Sequence, residues 1–232
     1  MGNRHSAEVP RAPMSTPPPT APLLNRISQL EDLHNDVLCA GLTATQLSRA
    51  PVTGSIILSS HKGLALSSAS IGGRIALAGV LSKDLVTFGL GVHLKPGSRQ
   101  WLREVQTGEV AAFLPGDDHD ALYAPGSLYA TVGVSPERIE ERAAQLDIVL
   151  NSSALGTGVH ARPLSHELLT QFQREYMRLH TDPSVRASHF NLCGQRLLDA
   201  FLLHFGCQLR ARLGLCAPGR RERVVARACL HP

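Results

Sequence analysis

Apolar and polar residues alternate in short runs along residues 42–80, and glycine or proline separates most runs from the next. The runs cover residues 43–48, 56–58, 64–67 and 75–80. Such alternation places successive side chains on opposite faces of a strand, whereas Pro and Gly interrupt a strand where the chain turns. Short strands at intervals of about ten residues predict a β-barrel or a β-sandwich.

The strand pattern continues through residues 86–134, where it is clearest. Residues 86–93 (VTFGLGVH) have the composition of a strand, and residues 95–98 (KPGS) supply Pro and Gly at the two central positions of a type II turn. Residues 99–105 then return, and two further apolar runs follow. We predict a meander of four or five antiparallel strands over this segment.

Two turns are predicted between the last apolar runs, at residues 115–119 (PGDDH) and at Pro125-Gly126. The first turn places His119 in a loop. The neighbouring aspartates suit a loop because an Asp side chain can accept hydrogen bonds from its own backbone.

After Val134 the apolar residues follow the helical period. Residues 135–137 (SPE) supply an N-cap, a proline at the first helical position and a carboxylate in the first turn. Ser165 caps a second predicted helix, and Pro183-Ser184 begins a third that reaches Phe205 and is stopped by Gly206. Strands followed by helices predict an α+β fold, with an antiparallel β-barrel followed by a helical pair or three helices.

The first part of the chain divides into a tail and a short helix. Residues 1–22 are rich in Pro, Ser and Thr and contain almost no large apolar side chain, so we expect a disordered tail. Leucines and Ile27 recur near the helical period in residues 23–38, which predicts a short helix.

Composition narrows the class of protein. The chain has 232 residues, a net charge of +4 and five cysteines without a CxxC pair, which favours reduced thiols over a disulfide framework or a zinc site. No apolar run reaches the roughly 18 residues of a membrane span, and residues 1–22 lack the core of a secretory signal. We therefore expect a cytoplasmic protein without a membrane partner.

One motif indicates the type of barrel. Residues 108–119 read Gly, five residues, Leu-Pro-Gly, two residues and His, and this order resembles the second half-motif of the cupin β-barrel, with Leu114 in place of the usual first proline. The resemblance implies a cupin-like barrel. A cupin metal site also requires a His-x-His and a Glu, but only the isolated His93 precedes His119 in the strands, so we expect no metal and no cofactor.

The order of segments resembles the sensing half of the AraC/XylS family of bacterial transcription regulators. The segments that carry the resemblance are residues 86–90, Trp101, residues 108–119, the helix at 135–146 (SPERIEERAAQL) and residues 219–228 (GRRERVVARA). The last segment resembles the linker helix that precedes the DNA-binding half in that family. The resemblance implies an effector-sensing barrel, residues 23–134, and a helical dimerisation segment, residues 135–206.

The resemblance ends where a DNA-binding half would begin. In that family two helix-turn-helix units follow the linker, whereas residues 207–232 provide a basic linker only. We expect a sensor and dimerisation part that lacks its own DNA-reading domain, so that DNA is a partner only through a domain absent from this sequence.

Ligand binding in the barrel is the leading hypothesis, because a small barrel can enclose one small molecule. Aromatic and histidine side chains on the strands are the candidate contacts: Phe88, His93, Trp101, Phe113, His119, Tyr123 and Tyr129. The alternative for each aromatic residue is that it fills the core.

A homodimer is the second hypothesis. The helix at 165–181 carries an apolar stripe formed by Leu168, Leu169, Phe172, Tyr176 and Leu179. Such a stripe must pack on its own barrel or on a second copy of the chain, and the helices of the family imply the second copy.

Catalysis is not expected. The sequence contains no GxSxG elbow and no phosphate-binding glycine loop, and Asp117, Asp118 and Asp120 beside His119 have the pattern of a turn. The alternative function is an atypical cupin enzyme or a small-molecule-binding cupin protein.

Overall fold

A computed structural model describes residues 22–35, 40–150, 155–182 and 187–208. The predicted tail, apart from Pro22, lies outside the described residues, as does the arginine-rich linker from residue 209 onward. The predicted start of the third helix at Pro183-Ser184 also lies outside them.

The described strands are short and mostly joined by tight turns. In chain order they are β1 (Leu23–Ile27), β2 (Gly41–Gln46), β3 (Gly54–His61), β4 (Leu64–Ile71), β5 (Ile75–Val80), β6 (Val86–His93), β7 (Arg99–Gln100), β8 (Arg103–Glu104), β9 (Val110–Phe113), β10 (Asp118–Tyr123), β11 (Ser127–Val134), β12 (Ile148–Leu150), β13 (Gly158–His160) and β14 (Gly206–Gln208). A 3-10 helix covers Leu30–Asn35.

Within the described residues these strands form two main sheets, and every neighbouring pair in them is antiparallel. The larger sheet has the order β1-β3-β4-β11-β6-β9-β13, and the smaller sheet has the order β2-β5-β10-β7-β8. Strands β12 and β14 form a separate antiparallel pair. Strand β11 lies at the centre of the larger sheet, where β4 and β6 flank it along its length.

Three α-helices come after β11 in the described chain: α1 (Pro136–Gln145), α2 (His166–Thr181) and α3 (Ala187–Phe205). Strands β12 and β13 lie between α1 and α2. Ser135 caps α1 by accepting a hydrogen bond from the Arg138 backbone N–H, and Ser165 caps α2 by accepting one from the Leu168 backbone N–H. Both predicted caps are therefore confirmed. The α+β fold of antiparallel strands followed by helices is confirmed as well.

Two hydrophobic cores lie on opposite faces of the larger sheet. The first core packs this sheet against the helices and contains Phe88 and Phe201. The second core lies between the two sheets and contains Ile56 and Leu77. Ile57 belongs to the first core although Ile56 belongs to the second, because neighbouring residues of a strand point to opposite faces.

The predicted helix over residues 23–38 is wrong in its first part. Residues 23–27 form β1, whose backbone pairs with β3 from Leu23 opposite Leu58 to Ile27 opposite Gly54. The apolar spacing fits a helix, but the exposed backbone of β3 offers a full ladder of hydrogen bonds to this segment. Residues 36–38 lie outside the described residues.

The predicted meander over residues 86–134 is also wrong. Successive strands of this segment belong to different sheets, since β6, β9 and β11 lie in the larger sheet whereas β7, β8 and β10 lie in the smaller one. His119 is consequently not a loop residue. It is the second residue of β10, opposite Gly79 of β5, and its side chain is buried.

Candidate functional site

A cavity of about 60 Å³ lies between the two sheets. Tyr129 of the larger sheet and His119 and Tyr123 of the smaller sheet contribute to its wall, together with the aliphatic side chains of Leu77 and Leu81. The volume exceeds what one water molecule needs but is below the roughly 150 Å³ of a protein cavity that binds benzene. The space therefore suits a very small molecule in this conformation.

His119 is the most distinctive polar group of this cavity. Its Nδ1 accepts a hydrogen bond from Gln100 Nε2 at 3.2 Å, and the edge of its ring meets Phe113, with 5.2 Å between the ring centroids. Burial lowers the pKa of His119 from 6.5 to about 4. The imidazole is therefore neutral near pH 7 and offers hydrogen bonds without a charge.

Gln100 fixes the orientation of His119. Its side-chain amide also donates to the Asp120 backbone carbonyl at 3.1 Å, which fastens β7 to β10 beside the cavity. Because the Asp120 carbonyl oxygen can only accept, the Gln100 Nε2 group and not the Oε1 atom must lie on this side. The amide therefore donates to the imidazole as well, and the tautomer with Nδ1 as acceptor is favoured. Sequence analysis does not identify Gln100 as a site residue. The available signal is a polar side chain in a predicted strand.

Aromatic side chains form the rest of the wall. Tyr123 and Tyr129 stack with 4.6 Å between their ring centroids and an interplanar angle of 17°. Because Tyr123 belongs to β10 and Tyr129 to β11, this pair joins the two sheets. Phe113 contacts Trp101, whose ring centroid lies 5.6 Å away.

One salt bridge stabilises the cavity wall near the surface. Arg103 Nη2 pairs with Glu109 Oε1 at 2.6 Å, and Arg103 Nη1 donates to the Val159 carbonyl oxygen at 2.9 Å. Both Glu109 and Val159 line the cavity. Arg103 thus holds two lining segments, which are distant in sequence, in one arrangement.

The turn before β9 connects the cavity wall to the helical layer. Gly108 precedes Glu109 and has φ +89, and a Cβ placed on it would lie 2.8 Å from a methyl carbon of Leu169 on α2. The Gly108 carbonyl oxygen also accepts a hydrogen bond from the Leu164 N–H at 3.0 Å. Glycine is favoured at this position because φ +89 lies in the left-handed region, and its missing Cβ leaves room for Leu169.

No family model matches this chain, and no curated protein matches its sequence. The crystal structure of the AraC-like transcriptional activator CuxR matches with a TM-score of 0.50 and 10% identity, and the match covers 78% of this chain and 69% of that chain. This chain shares its fold with an AraC-like activator.

A second structure is much less similar. The match to procruciferin, an 11S globulin from Brassica napus, has a TM-score of 0.24 and 13% identity, and it covers 77% of this chain and 51% of that chain. At the level of the fold, the match to the AraC-like activator supports the resemblance that the sequence suggested.

The structure places the seven predicted ligand contacts at different distances from the cavity. Four of them line it: Phe113, His119, Tyr123 and Tyr129. Trp101 lies behind Phe113. Phe88 points to the opposite face of the sheet, where it stacks on Phe201 at 5.3 Å and on Phe205 at 5.5 Å. His93 is the last residue of β6 and lies opposite Leu128 rather than in the cavity wall.

The apolar stripe predicted for dimerisation packs within the chain. Phe172, Tyr176 and Leu179 are buried in the first core, and Leu168 packs against it. Leu169 covers Gly108. Among the described helices, none combines the length and the apolarity needed to cross a membrane.

Proposed function

We propose that this chain is the effector-sensing and dimerising part of an AraC-like transcription regulator, and that it binds its effector without chemical conversion. The observation that carries the proposal is the cavity between the sheets, walled by His119 and the tyrosine pair. The fold shared with an AraC-like activator is the second support. Reading of DNA would belong to a helix-turn-helix unit of such a regulator.

The wall defines the chemistry of the proposed effector. Its polar groups near His119 are the neutral imidazole and the Gln100 amide, whereas Glu109 is already paired with Arg103. A charged ligand would lose its hydration here without gaining an opposite charge. We therefore propose a small neutral molecule with an apolar body and one or two hydrogen-bonding atoms.

Coupling of the effector to the helices follows from two shared structural elements. Strand β6 presents Gly89 to the cavity and Phe88 to α3, so a displacement of this strand affects both sides. Gly108 contacts α2 through Leu169. An effector that expands the cavity would shift the population of helix positions, provided that it binds one arrangement more tightly than the other.

The test is ligand binding by the full chain and by a variant with a filled cavity. A Cβ on Gly89 would lie 3.9 Å from Phe113 and 4.0 Å from the Ala111 Cβ, at ordinary contact distance. Gly89→Ala should therefore stabilise the fold by about 0.4–1 kcal/mol through the unfolded state. It should also lower the affinity for a ligand by about tenfold or more, because the added methyl group occupies ligand space.

The measurement is the melting temperature in a panel of neutral molecules, from short alcohols and amides to phenol, followed by calorimetric titration of any molecule that raises it. Gly41→Ala is the matched control, since Gly41 lies in β2 outside the cavity wall and a Cβ there would meet only the Val80 carbonyl at 3.8 Å. If Gly89→Ala binds a stabilising ligand as tightly as the Gly41→Ala control does, the cavity is not the effector site.

A further inference from the structure

Three potential metal ligands of different type meet where α2 packs against α3. Glu175 lies on α2, and His189 and Cys193 lie on α3. One donor atom from each of the three lies within 4.8 Å of the other two. His189 and Cys193 are four positions apart, so the helical repeat places them on the same face, one turn apart.

The Cys193 thiol has an unusual environment for a buried cysteine. Its side chain is 0% exposed, yet its Sγ donates to Glu175 Oε2 at 3.1 Å instead of contacting only apolar groups. The Glu175 side chain is itself only 15% exposed. A carboxylate and a sulfur atom held together inside a helix interface already have the separation of two ligands of one metal ion.

Arg196 orients the carboxylate. Its Nη1 lies 2.6 Å from Glu175 Oε1, which leaves Oε2 directed toward Cys193. Ligating carboxylates in metalloproteins commonly have a partner of this kind on the oxygen that does not bind the metal. Arg196 is thus placed as a positioning residue.

We propose that Glu175, His189 and Cys193 bind one Zn²⁺ ion between α2 and α3. The thiol proton leaves to solvent as the sulfur–zinc bond forms, and water completes a tetrahedral set of four ligands. Zinc bond lengths place neighbouring ligand atoms roughly 3.5 Å apart. The three donor atoms lie within 4.8 Å of one another, so the widest separation among them has to close by up to about 1 Å. No oxidation or reduction takes part.

The zinc site is separate from the proposed effector cavity. Tyr176 follows Glu175 and Phe190 follows His189 in the chain. Both aromatic side chains are buried in the first core and contact each other edge to face, with 6.4 Å between their ring centroids. Zinc would therefore cross-link the two helices that cover the larger sheet. The sequence did not suggest this site, because His189 and Cys193 resemble an ordinary helix face until Glu175 of the other helix is placed beside them.

The experiment uses the full chain with the other four cysteines, Cys39, Cys207, Cys216 and Cys229, replaced by serine. Zn²⁺ affinity and stoichiometry are measured by competition with a chromogenic chelator, and Co²⁺ is used as a spectroscopic substitute. We expect one ion per chain and a thiolate-to-cobalt charge-transfer band, which only a bound sulfur can produce.

Single substitutions then assign the ligands. Cys193→Ser should abolish the charge-transfer band, and Cys193→Ser, His189→Ala and Glu175→Gln should each weaken Zn²⁺ binding by about tenfold or more. Arg196→Gln should weaken it by roughly 10- to 100-fold, as loss of an outer partner does. The control is His166→Ala, which removes an exposed histidine of α2 and should leave the affinity unchanged.

Circular dichroism establishes that each variant is folded, and Cys193→Ala provides a second test of the sulfur if the serine variant is not. Failure of the single-cysteine chain to bind Zn²⁺ would overturn the proposal. So would Zn²⁺ binding of unchanged affinity in the Cys193 and His189 variants, since the ion would then be held by other groups.

Discussion

His119 combines burial with a titratable ring. Burial lowers the pKa of its imidazole to about 4, whereas an unfolded chain leaves it at 6.5. Between these values the unfolded state takes up a proton that the folded state excludes. The contribution of a neutral His119 to stability is therefore complete above about pH 6.5 and is lost as the pH falls toward 4. A shift of this size corresponds to about 3 kcal/mol.

We expect His119→Asn to reduce the loss of stability on acidification. The asparagine Oδ1 takes the place of Nδ1 as acceptor for Gln100, but the side chain does not titrate. Urea unfolding between about pH 7 and about pH 4.5 should show a smaller decrease for the variant, by up to about 3 kcal/mol.

Two other histidines matter for this comparison: His180, which is partly buried, and His166, which is exposed. Burial also lowers the pKa of His180 to about 4, but His180 is present in both proteins and cancels in the comparison. His166→Asn removes an exposed histidine and serves as the control. An equal loss of stability in the parent and in His119→Asn would show that the burial of His119 does not govern the acid sensitivity.

Single residues also show why the cavity could be predicted only in part. Both faces of β6 are covered, so the alternation that separates a buried face from an exposed one is weak in VTFGLGVH. The sequence of β6 does not indicate whether Phe88 or Gly89 faces the cavity. Pro115-Gly116 and three aspartates around His119 predict a loop, but the pairing of β10 with β5 overrides that local signal.

At the scale of elements, α1 shows how well a local signal can determine structure. Ser135 has φ −71 and ψ 152, and its side chain accepts the Arg138 N–H, while Pro136 follows at the first helical position. These features depend on neighbours in sequence alone, so the helix start was predicted from the residues SPE.

Replacement of this cap should have a small and measurable cost. We expect Ser135→Ala to destabilise the protein by about 1 kcal/mol, because the Arg138 N–H loses its acceptor at the N-terminus of α1. Chemical denaturation measures this difference, and Ser135→Asp is the matched control that restores an acceptor. Equal stability of the alanine variant and the parent would mean that the cap contributes nothing to the fold.

Elements whose stability depends on distant partners were predicted poorly. Strand β13 has three residues in a glycine-rich segment and exists because Val159 lies opposite Ala111 of β9. Strand β12 pairs with β14 in the same way, across more than fifty residues of sequence. Such strands carry no periodic pattern of their own, so the pairing partner has to be known first.

At the scale of the whole molecule, the larger sheet has a core on each of its faces. The helices cover one face and the smaller sheet covers the other. The sequence indicated the order of strands and helices, and hence the α+β class. The pairing of the strands could not be predicted from the sequence, because neighbours in the sheets, such as β4 and β11, lie far apart in the chain.

The proposed dimer can be tested on a face of α3 that the described residues leave exposed. Leu192 and Leu203 are 51% and 47% exposed and lie roughly three turns apart on one side of the helix. We expect a dimer in analytical ultracentrifugation, and we expect Leu192→Glu with Leu203→Glu to shift it to monomer because charges would be buried in the contact. Leu24→Glu, at a 45% exposed residue of β1, is the control. A parent chain that sediments as a monomer would contradict the dimer.

Trp101 has a practical consequence. It is the sole tryptophan of the chain, and it adopts φ +50 in the tight turn between β7 and β8. Its ring packs against Phe113, which forms part of the cavity wall. The protein therefore carries an intrinsic fluorophore that only the Phe113 ring separates from the proposed binding cavity. Because no other indole contributes to the emission, the intrinsic fluorescence of the unlabelled chain is a local reporter of that wall.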